Sequence, residues 1–313
     1  MRAVASANRR TPGDTQRIAR APAERELLAG RYEILSLLGS GGMSEVFAGR
    51  DRILERMVAV KRPRRDTSVA EISERLQREA IALASIDSPN VVAIHDVGAT
   101  EHGVYLVMQR LFGRTLDEEI SAHGPMSAAR ACRIARDILA GLAAIHASGL
   151  VHRDLKASNV VLDRRETGGG APHGIDRGDR AVLLDLGAAL HLRRRSLTAP
   201  GTLLGTPECM APEQLAQGAL DGRADLFQLG LILIYLVTGT MAGSAVDPTE
   251  LAIPPALREV IARALAPVDA RYASADEMRG ALDQALAACT LEPIEPVFAD
   301  RPTLRWPEST PRP

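Results

Sequence analysis

One stretch constrains this chain more than any other: His152-Arg153-Asp154-Leu155-Lys156-Ala157-Ser158-Asn159. It sets an acid, a base and an amide at fixed offsets between two apolar runs, Gly149-Leu150-Val151 and Val160-Val161-Leu162. Apolar segments on both sides place the polar set on a loop. Asp154 can accept a hydroxyl proton, Lys156 can hold a negative group beside it, and Asn159 can offer an oxygen to a hard cation. Phosphoryl transfer asks for this equipment, because positioning and charge neutralisation supply nearly all of its catalysis. A polar turn that merely caps its own backbone is the alternative, and the order of the residues disfavours it.

The chain ahead of this loop reads as a β-rich unit. Tyr32 to Leu38 is strand-like, and Gly39-Ser40-Gly41-Gly42-Met43-Ser44-Glu45-Val46-Phe47 follows. Glycines between two strands let backbone N–H groups approach a phosphate closely. A dinucleotide-binding unit would continue into a helix, whereas here a second strand follows, so a hairpin flap over a nucleotide is expected. The next strand, Met57-Val58-Ala59-Val60-Lys61, ends in a lysine that needs a partner if buried. The predicted helix Val69 to Ile86 offers one: Glu79 borders its apolar stripe at 72, 76, 80 and 83, unlike Glu71 and Glu74. Two more strands, Val91–Asp96 and Val104–Met108, lead through Gln109-Arg110-Leu111-Phe112-Gly113 to an amphipathic helix, Ala128–Ser148, which delivers the loop.

Beyond the loop, residues 164–180 form a hydrophilic, glycine-rich insert. The chain resumes as Ala181-Val182-Leu183-Leu184-Asp185-Leu186-Gly187, where an aspartate ending a strand suits a cation. With Asn159 it can grip Mg²⁺ on a triphosphate.

Composition narrows the classes. A net charge of -1 over 313 residues argues against a nucleic-acid binder. Aromatics are only 3%, so the core must rest on Leu, Ile, Val and Ala. Cys132, Cys209 and Cys289 are scattered without metal spacing, which predicts a reducing, cytoplasmic setting. The most apolar run, Leu226–Val237, is too short to span a bilayer and contains Gln228, so a buried core helix is expected. The N-terminus lacks the apolar stretch of a signal peptide. Residues 1–31 read as a flexible arginine-bearing arm and 288–313 as a proline-rich tail.

Taken together, the glycine loop, Val-Ala-Val-Lys ending at Lys61, the helix Glu79, His-Arg-Asp-Leu-Lys at 152–156 with Asn159, Asp-Leu-Gly at 185–187 and Ala-Pro-Glu at 211–213 stand in a specific order. In that order the chain resembles the eukaryotic-like (Hanks-type) bacterial Ser/Thr protein kinases, over about Tyr32 to Leu286. The resemblance implies an α+β bilobal fold: an antiparallel-sheet N-lobe with one main helix (32–111) and a mainly helical C-lobe (112–287). It implies transfer of the ATP γ-phosphate, with Mg²⁺, to Ser or Thr of protein substrates, and a transient kinase dimer among its partners. An ATP-binding pseudokinase or scaffold is the alternative, disfavoured by the intact polar set. A small-molecule phosphotransferase is disfavoured by Ala211-Pro212-Glu213.

Residue roles follow from the same resemblance. Gly39 to Ser44 cover the phosphates, with Lys61 on the α and β phosphates and paired to Glu79. Asp154 is the base, Lys156 steadies the γ-phosphate, and Asn159 and Asp185 bind Mg²⁺. Val46, Ala59 and Val161 sandwich adenine, Met108 guards the back pocket, and the Gln109–Leu111 backbone reads the adenine edge. Leu83, Ile94, His152 and Leu186 stack as a spine, Asp225 anchors the catalytic loop, and Glu213 pairs with Arg271. Arg153 receives a phosphorylated activation loop, modified at Thr198 or secondarily Thr202. Leu186 replaces the usual phenylalanine of this motif. Between Gly239 and Pro254 the chain is too short for the helix the family fits there.

Overall fold

The computed structural model describes residues 26–41, 44–64, 69–101, 103–164, 179–186, 209–216, 218, 220–241 and 247–291. The expectations for the arm before Glu26, for Gly42 and Met43, for the body of the insert, for Thr198 and Thr202 and for the tail beyond Leu291 lie outside the described residues.

The first lobe is a twisted antiparallel sheet. Its strands are β1 (Leu27–Leu28), β2 (Tyr32–Ser40), β3 (Ser44–Asp51), β4 (Arg56–Pro63), β5 (Ile94–Thr100) and β6 (Gly103–Gln109), in the order β1-β2-β3-β4-β6-β5. Helix α1 (Val69–Ala84) packs against β4, β5 and β6. Alternation along the strands divides the sheet into two faces. One face carries Leu28, Tyr32, Ile34, Val58, Val60, Tyr105 and Val107 as a separate small core. The other carries Ala59 and Met108, which join the main core of the protein.

Residues 26–31, grouped with the arm in the sequence reading, belong to this lobe. Leu28 pairs with Tyr32 across a turn and closes the small core. Arg31 bridges the Asp51 and Asp96 carboxylates at 2.7 and 3.4 Å. The signal was too brief to read, since a two-residue strand has no measurable period. Helix α1 ends two residues before the predicted Ile86, in a tightened turn where Ser85 and Ile86 donate to Ala82 and Leu83 carbonyls.

The strand predicted from Val91 begins only at Ile94. Val91 and Val92 leave the sheet and pair instead with Leu183 of the second lobe, with Val92 N–H 3.0 Å from its carbonyl. Both are buried apolar residues, and alternation cannot say which lobe buries them.

The second lobe contains α2 (Leu116–His123), α3 (Ala128–Ala147), α4 (Pro212–Leu215), α5 (Arg223–Thr238), α6 (Pro255–Ala264) and α7 (Ala275–Leu291). A small sheet of β7 (Gly113–Thr115), β8 (Val160–Asp163) and β9 (Arg180–Leu183) lies at its top. Thr115 caps α2 in a reciprocal box with Glu118, and Ser127 caps α3. Helix α5 is buried along almost its whole length, as its all-round apolar sequence requires, and Gly239 ends it in the left-handed region (φ 72°). Between α5 and α6 the described residues hold only a single 3₁₀ turn, Pro248–Glu250. Helix α7 continues through Leu291, so residues 288–291 are helical rather than part of the tail.

Candidate active site

Strand register brings the first group of predicted residues onto one face. Val46 lies opposite Lys61, Ala48 opposite Ala59, Ala59 opposite Met108 and Lys61 opposite Leu106. Cross-strand partners point to the same side, so Val46, Ala59, Lys61 and Met108 form one patch. Val161 of β8 joins Ala59, Met108 and Leu111 in the same core cluster, with Val46 packed against it. Gln109 N–H donates to the Ala93 carbonyl at the link between the lobes.

At the hairpin tip, Gly39 pairs with Val46, Ser40 with Glu45, and Gly41 N–H donates to the Ser44 carbonyl at 2.8 Å. Among the described residues, a Cβ at Gly39 would meet nothing within 4 Å, and one at Gly41 only the Ser44 carbonyl at 3.7 Å. Packing among the described residues does not demand Gly39 or Gly41. Their bareness leaves the open side of the hairpin free for a large anion to approach the backbone.

Lys61 Nζ lies 2.8 Å from Glu79 Oε1 and 3.0 Å from Asp185 Oδ2. Burial opposes the Lys61 ammonium, but the Glu79 and Asp185 carboxylates outweigh it and raise its pKa. Burial pushes the Glu79 carboxyl up to about 7; Lys61 works against that and Asp185 adds to it. One ammonium faces two carboxylates, so the cluster carries an excess negative charge. Asp185 sits in the left-handed region (φ 52°), and its carboxylate faces Lys61.

The loop 152–159 is held by side chains from below. Asp225 of α5, fully buried, accepts from His152 N–H at 2.9 Å, Arg153 N–H at 2.7 Å and the His146 ring at 2.8 Å. His152 is itself buried, with Nε2 3.0 Å from the Leu184 carbonyl. Lys156 Nζ lies 2.9 Å from Asp154 Oδ2. Asn159 Nδ2 donates to the Asp154 carbonyl at 2.8 Å and its carboxylate at 3.2 Å. That leaves the amide oxygen of Asn159 able to meet a cation, and the Asp185 carboxylate could supply a second oxygen. Two protein oxygens, with phosphates and water completing the shell, fit Mg²⁺ better than a metal held by protein alone.

Leu83, His152 and Leu186 are buried, and Ile94 packs against the main core. Glu213 grips Arg271 through both oxygens, at 2.5 and 3.0 Å. The sequence reading missed His146, Gln214 and Gln228. The signal for Gln228 was present: a lone amide in an otherwise apolar helix has to satisfy its hydrogen bonds somewhere.

A paired lysine and glutamate, a loop aspartate flanked by lysine and asparagine, and an aspartate at the head of the next segment define a protein kinase domain. The family model described as "Protein kinase domain" matches residues 32–286, and the chain belongs to that family. It is 33% identical over 227 residues to serine/threonine-protein kinase PrkC of Bacillus subtilis, covering 72% of this chain and 33% of that protein. It is 34% identical over 284 residues to PksC of Streptomyces coelicolor (82% of this chain, 49% of that protein). It is 36% identical over 219 residues to pkn2 of Myxococcus xanthus (69% and 25%). The chain therefore spans between a quarter and a half of the length of these relatives.

Proposed function

We propose that this chain is a protein serine/threonine kinase that transfers the γ-phosphate of ATP to Ser or Thr hydroxyls of protein substrates. The observation that carries the reading is the joint placement of Lys61 between Glu79 and Asp185 with Asp154 between Lys156 and Asn159. A pseudokinase would lack the need for all of them together.

In this reading the glycine hairpin and Lys61 hold the triphosphate, and the Val46–Ala59–Met108–Val161 patch holds adenine. Asn159 and Asp185 would hold Mg²⁺, which would supply charge neutralisation on the phosphate oxygens. Asp154 accepts the proton of the acceptor hydroxyl as its oxygen bonds to the γ-phosphorus. The bond from that phosphorus to the bridging oxygen breaks, and ADP leaves with the electron pair. Lys156 keeps Asp154 and the transferred group in register. The substrates are proteins rather than nucleic acids, and the setting is cytoplasmic. Cys132 and Cys209 are buried, and no helix among the described residues is long and apolar enough to cross a membrane.

Asp154→Asn tests the assignment. The variant should bind ATP as the wild type does and lose transfer to a generic basic protein or peptide by about 100-fold or more. Near-wild-type turnover by that variant would refute it.

A further inference from the structure

The catalytic loop has no secondary structure of its own to fix residues 152–155, so side chains must fix it. Asp225 takes the His152 and Arg153 N–H groups. Two further groups, the Arg153 carbonyl and the Leu155 N–H, go to two glutamines. Gln228 Oε1 accepts from Leu155 N–H at 3.0 Å, and its Nε2 donates to the Arg153 carbonyl at 3.2 Å. Gln214 of α4 donates to the same carbonyl at 2.8 Å. The two amides are also joined, Gln228 Nε2 lying 3.2 Å from Gln214 Oε1, which accepts in turn from Ala211 N–H at 3.0 Å. Gln228 is 2% exposed and lies in the apolar middle of α5.

Arg153 is the residue that needs such support. It occupies the left-handed region (φ 69°), which is costly for a side chain with a Cβ and persists only when its surroundings impose it. Its carbonyl and the Leu155 N–H flank Asp154 on either side. The amides that hold them come from the core helix and from α4, just after Ala211 at the end of the segment that carries Thr198 and Thr202.

We infer that Gln228 and Gln214 form a positioning couple that sets the direction of Asp154 and ties it to the end of the activation segment. It rests on the phosphotransfer reading above. The couple works through the loop backbone and touches no substrate. An apolar side chain at Gln228 strands a buried N–H and releases one of two restraints on a strained carbonyl. A carboxylate there can still accept from Leu155 N–H, but it faces two oxygens with no proton to give.

The experiment compares wild type, Gln228→Leu, Gln214→Leu, the double variant and Gln228→Glu, with a peptide acceptor and varied ATP. Gln228→Leu should lower kcat about 10- to 100-fold while KM for ATP moves less than about threefold. The double variant should lose little more than Gln228→Leu alone, because both amides act on one carbonyl. Burial raises the pKa of a carboxyl at this position, so activity of Gln228→Glu relative to wild type should rise as pH falls from about 8 toward 6, when the carboxyl gains a proton to donate. Should Gln228→Leu fail to fold, the kcat of Gln214→Leu decides alone. The couple is overturned if the glutamine variants keep wild-type kcat, if losses add independently, or if the Gln228→Glu ratio is flat with pH. A wild type that transfers no phosphate would instead refute the underlying reading.

Discussion

Lys61 and Glu79 stand 18 residues apart in the chain and meet through both carboxylate oxygens, at 2.8 and 3.0 Å. Both are buried, and among the described residues the Asp185 carboxylate shares the Lys61 charge. The strand end and the helix face are separate local patterns; their meeting joins the sheet of the N-lobe to α1 and directs the ammonium at the head of the second lobe.

Replacing Lys61 with methionine should abolish transfer, by about 100-fold or more, because nothing else among the described residues offers a buried cation at that place. Stability should change with it. The carboxylates would remain without their cation, and an uncompensated buried charge costs several kcal/mol unless it takes up a proton. Chemical unfolding of Lys61→Met should therefore show higher stability at acid pH than at neutral pH.

Glu79 makes the pH dependence of the wild type specific. Its folded pKa, about 7, stands above its ordinary value of 4.5, so on raising pH the unfolded chain loses this proton first. The contribution is intact below about 4.5 and is lost as pH rises through about 7. Urea midpoints across that window should decline less steeply for Glu79→Gln than for wild type. Parallel slopes would remove Glu79 as the source.

Asp51 should behave in the opposite sense. The Arg31 guanidinium holds its carboxyl well below the usual carboxylate range, burial opposes this, and the Leu54 and Ile53 N–H groups assist Arg31. Asp51→Asn should cost about 1.5–3 kcal/mol at neutral pH, the worth of hydrogen bonds to a buried charge. A depressed carboxylate stabilises above its unfolded pKa and loses that effect as pH falls through the folded one. The gap in melting temperature between wild type and variant should shrink steadily below about pH 4.

Arg271 is buried against Glu213, and it also donates to the Ala266 and Arg223 carbonyls. Arg271→Ala should destabilise the second lobe by about 3–5 kcal/mol. Arg271→Lys should recover little, since an ammonium cannot reproduce the two-pronged contact. A double-mutant cycle with Glu213→Gln would measure the coupling, and strict additivity would show the pair to be incidental.

The activation segment provides a regulatory test. Arg153 precedes Asp154, and the run Arg193-Arg194-Arg195 would repel it until a phosphate intervened. Mass spectrometry should find phosphate at Thr198, and secondarily at Thr202, in the wild type but not in Asp154→Asn. A fully active wild type with an unmodified segment would exclude this control.

The sequence alone determined the order of the parts. His152 to Asn159 on a loop, Lys61 at a strand end, Glu79 on an apolar-edged helix and a buried helix at 226–237 are all written in local period and local residue chemistry, which depend on neighbours a few positions away. Those features led to the bilobal α+β fold and to the candidate site. The tertiary structure decided what pairs across distance. It moved Val91 and Val92 to Leu183, drew residues 26–31 into the sheet and placed Asp185 on Lys61. It also turned Gln228, a single polar position in an apolar helix, into a support for the loop that carries Asp154. No local pattern encodes such partnerships, because each forms only when packing of the whole chain leaves a buried polar group one place to be satisfied.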